Sequence, residues 1–142
     1  MEHKVTVVAA VIERAGRILV CQRGPRDSHP LKWEFPGGKV RPGEHPREAL
    51  RRELWEELGV EADIGEELAR TEWRYPGMEP IELVFYRARL RRGEPQNRVF
   101  AGIRWERLED LAALDFLEAD RDFVRRLASW QGSRWRSSTQ LS

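Results

Sequence analysis

Residues 37–44 read Gly37-Gly38-Lys39-Val40-Arg41-Pro42-Gly43-Glu44, and residues 52–60 read Arg52-Glu53-Leu54-Trp55-Glu56-Glu57-Leu58-Gly59-Val60. Leu50, Leu54, Trp55 and Leu58 recur at helical spacing behind Pro46, a residue that a first helical turn tolerates. The spacing predicts a helix over residues 46–58, ended by Gly59. Glu53, Glu56 and Glu57 fall at i, i+3 and i+4 and project from one face, opposite Leu50, Leu54 and Leu58. Each like-charged pair costs an isolated helix about 0.2–0.5 kcal/mol, and only Arg52, four residues before Glu56, is placed to offset it. Such a face is either solvated surface or a site short of a cation. The glycine pair ahead of it favours the cation, because glycine lets a backbone approach a ligand closely and clustered hard oxygens suit magnesium.

Working outward, residues 4–13 and 17–23 are rich in β-branched residues around the Ala15-Gly16 turn and predict a hairpin. Residues 24–32, with two prolines, Asp27, Ser28 and His29, read as an exposed loop. Residues 33–35 form a short apolar element that leads into a sharp turn or close approach at Pro36-Gly37-Gly38. Residues 61–74, 81–90 and 103–105 read as strands; Val84 among the alternating Ile81, Leu83 and Phe85 indicates a sheet covered on both faces. Phe123, Val124 and Leu127 predict a closing helix over residues 120–130, and the polar residues 131–142 read as a disordered tail.

The chain has 142 residues, 40% of them apolar, enough for one domain over residues 1–130. A net charge of +1 gives no field that would gather a nucleic acid polymer or an anionic membrane. Cys21, the single cysteine, excludes an internal disulfide and reads as a small buried hydrophobe. The longest apolar run, residues 7–12, is too short to span a bilayer, and no secretory signal core is evident, so a cytoplasmic location is expected.

The spacing Gly38, five residues, Glu44, seven residues, Arg52-Glu53-Leu54, one residue, Glu56-Glu57, one residue, Gly59-Val60 resembles the Nudix box at every defining position. The resemblance implies an α+β fold, a mixed β-sheet sandwiched between helices, and hydrolysis of a nucleoside diphosphate bond. It implies divalent cations, Mg2+ or alternatively Mn2+, held by Glu53, Glu56 and Glu57 with a backbone carbonyl from Gly37-Gly38. Arg52 would orient the carboxylates and Glu44 would support them, or else be a solvated acid near the helix start.

Trp33-Glu34-Phe35-Pro36-Gly37-Gly38-Lys39 looks like the MutT branch and the related CTP pyrophosphohydrolases, which split (deoxy)nucleoside triphosphates into monophosphate and pyrophosphate. That branch implies phosphate contacts from Arg23 and Lys39 and a base site at Phe35 and Asp120. Phe35 also reads as core, and Asp120 also reads as an N-cap of the last helix. An ionised Asp120 would only accept hydrogen bonds, which leans toward the amino groups of cytosine or guanine nucleotides, including oxidised guanine.

Two departures stand out. Val99 occupies a position where relatives often carry a further Glu, leaving Glu53 as the first choice of base, with Glu94 and Glu82 behind it. His45 replaces the usual Thr ahead of the helix, weakening a side-chain cap while Glu48 keeps its place. The alternatives are another substrate, such as a nucleotide sugar, diadenosine polyphosphate or isoprenoid diphosphate, or a nucleotide-binding sensor without activity. Partners reduce to a small-molecule nucleotide, with the chain a monomer or homodimer.

Overall fold

The computed structural model describes residues 4–130. Strands β1 (Val5–Arg14) and β2 (Arg17–Gln22) form the expected hairpin through Ala15 and Gly16, both at positive φ. The chain continues through β3 (Trp33–Glu34), β4 (Gly37–Lys39), helix α1 (Pro46–Leu58), β5 (Glu61–Trp73), β6 (Ile81–Arg92), β7 (Gly102–Arg107), a 3-10 turn (Leu108–Ala113) and helix α2 (Glu118–Ala128). The sheet is mixed. β1 runs parallel to β6 and antiparallel to β4 and β2, β6 pairs antiparallel with β5, and β2 carries both β3 and β7.

Side-chain alternation along β1 divides the core in two. Val8, Ala10 and Ile12 pack with Leu50, Leu54 and Leu58 of α1, while Ala9 and Val11 pack with Phe123, Val124 and Leu127 of α2. β6 repeats the division, with Val84 and Tyr86 on the α1 side and Leu83 and Phe85 on the α2 side. A sheet with a helix on each face is the expected architecture. Cys21 is fully buried.

Three local readings change. Residues 37–39 are a strand on β1 rather than a turn, registered with Ala9 opposite Gly37 and Val8 opposite Gly38. A Cβ on Gly37 would lie 1.9 Å from the Val8 carbonyl oxygen, so glycine here admits a neighbouring strand. His45 caps α1 after all, its Nδ1 accepting from the Arg47 amide at 3.1 Å with Pro46 at the first helical position. α2 begins two residues earlier than expected, with Leu117 at its N-cap, so Asp120 lies within the first turn and is not the cap.

Among the described residues no helix is long and apolar enough to cross a membrane. Residues 131–142, the expected tail with Trp135, lie outside the described residues. Leu54 is fully buried between α1 and the sheet. Leu54→Ala should destabilise the domain by about 2–5 kcal/mol, lowering the melting temperature by at least about 6 °C in calorimetry.

Candidate active site

α1 passes over β4 with Glu53 and Glu57 turned toward the glycine strand. A Cβ on Gly38 would stand 2.5 Å from the Glu53 carboxyl carbon, so the missing side chain makes the space that the carboxylate occupies. The Gly37 amide donates to Glu57 Oε1 at 3.2 Å. Glu57 is also hydrogen-bonded to Glu53, and burial together with that neighbour pushes its carboxyl up to about 9. Two carboxyl groups in contact hold a proton where a cation would neutralise both.

Arg52 binds this arrangement together. Its Nε and Nη2 donate to the two oxygens of Glu44 at 2.8 and 3.0 Å, and its Nη1 donates to Glu53 at 2.8 Å and to Glu56 at 3.3 Å. Nη2 also donates to the Lys39 carbonyl at 3.2 Å, tying the helix to β4. Glu44 further accepts from the Arg41 amide at 3.0 Å, and the Arg52 guanidinium holds its carboxyl down at about 2. Glu44 is therefore a partner of Arg52 rather than a solvated acid at the helix start.

Glu56 stands apart from the other two carboxylates, 48% exposed and paired with Arg52 and, at 4.0 Å, Arg41. As the side chains stand, no three acidic, histidine or cysteine groups among the described residues converge as a cation cage. Of the weaker base candidates, Glu94 is held by both Nη atoms of Arg14 and Glu82 by Arg70. Val99 is exposed.

A second group of residues adjoins the first. Glu34, to which the sequence reading gave no role, is a largely buried acid whose Oε1 accepts from Arg23 Nη1 at 3.0 Å. Burial raises its carboxyl and the Arg23 charge opposes the rise. Its charge reaches Glu57 on one side and Asp120 on the other.

Arg23 is more committed than expected for a phosphate contact. Its Nε donates to the Ser28 carbonyl at 2.7 Å and its Nη2 to Ser28 Oγ at 3.0 Å, leaving two of five guanidinium hydrogens for a ligand. Lys39 points into solvent from β4.

Two base-site expectations are revised. Phe35 is 3% exposed and packs against Phe85, Phe116 and Phe123, so it belongs to the core and presents no stacking face. Asp120 is 4% exposed, and burial holds its carboxyl well above the ordinary aspartate range. Burial thus favours the protonated form, which donates as well as accepts, over the ionised form, which only accepts.

With the glycine strand, the acid pair and their arginine in place, the comparisons decide the family. The sequence matches the NUDIX domain over residues 2–127. The chain belongs to the NUDIX domain family. The 8-oxo-dGTP diphosphatase of Haemophilus influenzae is 37% identical over 129 residues, covering 89% of this chain and 94% of that protein. The CTP pyrophosphohydrolase of Escherichia coli is 55% identical over 65 residues, a match that spans 46% of this chain and 48% of that one. Among solved structures, the E. coli ORF135 protein superposes with a TM-score of 0.80 at 34% identity, covering 94% of each chain.

The state of Glu57 gives this NUDIX domain a pH signature. A carboxyl whose folded pKa lies above its unfolded value stabilises the fold while protonated. That contribution is complete below about 4.5 and is lost as the pH rises toward about 9. In EDTA the wild-type melting temperature should therefore fall between pH 5 and pH 9 more steeply than that of Glu57→Gln. Parallel profiles for the two proteins would contradict the buried, paired state of Glu57.

Proposed function

We propose that this NUDIX domain hydrolyses a nucleoside or deoxynucleoside triphosphate to monophosphate and pyrophosphate, with cytosine or oxidised guanine nucleotides as substrates. The observation that carries the reading is the Glu53–Glu57 pair set against Gly37-Gly38, where two touching carboxyl groups share one guanidinium, Arg52, which reaches Glu53 and not Glu57. Hard oxygens of this kind fit Mg2+, or Mn2+ in its place, with Glu56 able to swing in from its exposed position one turn away. When bound, such a cation neutralises phosphate charge and makes phosphorus more susceptible to water.

The remaining roles fall to the chain itself. Arg52 keeps Glu53 aimed at the glycine strand, and Glu44 keeps Arg52 in place. Glu53, hydrogen-bonded to Glu57 and aimed by Arg52, is the group assigned to accept a proton from the attacking water. Water adds to phosphorus, the bridging P–O bond breaks, and its electron pair leaves with one of the two products. Lys39, and the two free hydrogens of Arg23, are available to the phosphate oxygens.

At the other end, Asp120 in the neutral form that its burial favours matches an edge that offers one acceptor beside one donor. Cytosine presents N3 beside its amino group, and 8-oxoguanine presents O6 beside a protonated N7. The names of the relatives, a CTP pyrophosphohydrolase and an 8-oxo-dGTP diphosphatase, agree with these two edges.

The test is pyrophosphate release with Mg2+ from CTP, dCTP, 5-methyl-dCTP, 8-oxo-dGTP, dGTP and, as a non-triphosphate, ADP-ribose. Glu57→Gln should lose at least about 100-fold in kcat. Asp120→Asn, which keeps one donor and one acceptor, should retain most of the kcat/KM on the preferred nucleotide, whereas Asp120→Ala should lose about 10- to 100-fold. Turnover of ADP-ribose alone would refute the triphosphate reading, and an Asn variant as impaired as the Ala variant would refute the neutral carboxyl.

A further inference from the structure

Asp120 has no side-chain partner to aim it: among the described residues its carboxyl makes no hydrogen bond or ion pair. Its direction is therefore set by the backbone of the first turn of α2. That turn lacks a side-chain cap of its own: Leu117 at the N-cap offers its carbonyl to the Asp120 amide but no side-chain acceptor to the Ala119 amide. Tyr75, in the connection between β5 and β6, supplies the acceptor: the Ala119 amide donates to its hydroxyl at 3.1 Å. Ala119 is the second helical residue, the one an N-cap side chain would ordinarily serve, and Asp120 follows it directly.

The rest of the surroundings fix Tyr75 in turn. His29, at positive φ in the loop over residues 24–32, lies against its ring with centroids 4.3 Å apart, and Trp73 meets it edge-on at 6.2 Å. Arg23 grips the same loop through Ser28. The approach to α2 is tied from the far side by β3, where Trp33 donates to the Asp115 carbonyl and accepts from the Leu117 amide. The Tyr75 hydroxyl also lies within the fields of Asp120, Glu118 and Arg23.

We propose that Tyr75 is a positioning residue for base selection, its hydroxyl capping α2 and so fixing where the Asp120 carboxyl points, and its ring linking that cap to the loop carrying His29. The inference rests on the reading of Asp120 as the base contact. It assigns specificity to a residue outside the box that carries the hydrolytic chemistry, on a connection whose sequence gives no sign of it.

Tyr75→Phe keeps the ring and its contact with His29 and removes only the hydroxyl. With Mg2+, kcat and KM would be measured for the preferred nucleoside triphosphate and for 2-deoxyribose 5′-triphosphate, which has no base. In the variant the preference for the base-bearing substrate should fall about 5-fold or more, through KM, with the base-free substrate unchanged. Adding Leu117→Ser returns an acceptor at the ordinary N-cap position, and the double variant should recover the preference. Equal losses on both substrates, or no rescue by Leu117→Ser, would overturn the proposal by making Tyr75 a general stability residue. A wild-type enzyme that treats the two substrates alike would instead remove the base reading beneath it. Should Tyr75→Phe fail to fold, His29→Ala, which loosens the ring and leaves the hydroxyl, should lower the preference by a smaller factor; an unchanged preference there would also count against the proposal.

Discussion

The arrangement depends on one guanidinium. Arg52 stands where three acidic side chains would otherwise repel one another, and its five donated bonds reach Glu44, Glu53, Glu56 and the Lys39 carbonyl. A planar fork with fixed donor directions can bind a bidentate carboxylate on one edge and orient others on the next, which a flexible ammonium could not. Glu57 is the acid Arg52 does not reach, and it is there that the buried charge is left to a proton. The helix therefore carries its acidic face with one guanidinium and one shared proton as compensation.

The glycine strand is the second constraint. Gly37 is pressed by β1 and Gly38 by the Glu53 carboxylate, so a side chain on the first would part β4 from β1 and one on the second would displace Glu53. α1 is held at its far end too. Arg98 donates to the Trp55 carbonyl at 3.0 Å and lies over the Trp55 ring, serving a C-terminus that has no basic residue of its own. A helix anchored at both ends and bound along one face keeps its carboxylates where the sheet puts them.

Much of this could be read from the chain. The period of Leu50, Leu54 and Leu58 gave α1, the β-branched runs gave the strands, and Val84 indicated a sheet covered on both faces. The acid spacing with Arg52 marked the site because such crowding is unfavourable without a compensating charge. What could not be read is tertiary. β4 is three residues with two glycines, a composition that denotes a turn until β1 is seen beside it. Glu34 gains its meaning only from burial beside Arg23, Glu57 and Asp120, which lie far from it in sequence. The upward shift of the Asp120 carboxyl follows from its depth, and Phe35 is claimed by three other phenylalanines that no local window connects. The cap from Tyr75 to Ala119 spans 44 residues and leaves no periodic trace.

The central claim is that Glu53 and Glu57 against the glycine strand hold the divalent cation. Its most direct test is Mn2+ binding followed by electron paramagnetic resonance, comparing the wild type with Glu53→Gln/Glu57→Gln and with Glu82→Gln, whose side chain serves Arg70 instead. The account predicts tight, stoichiometric Mn2+ uptake by the wild type and by Glu82→Gln, and its loss in the double variant. Equal affinity in the double variant would place the cation elsewhere and contradict the account.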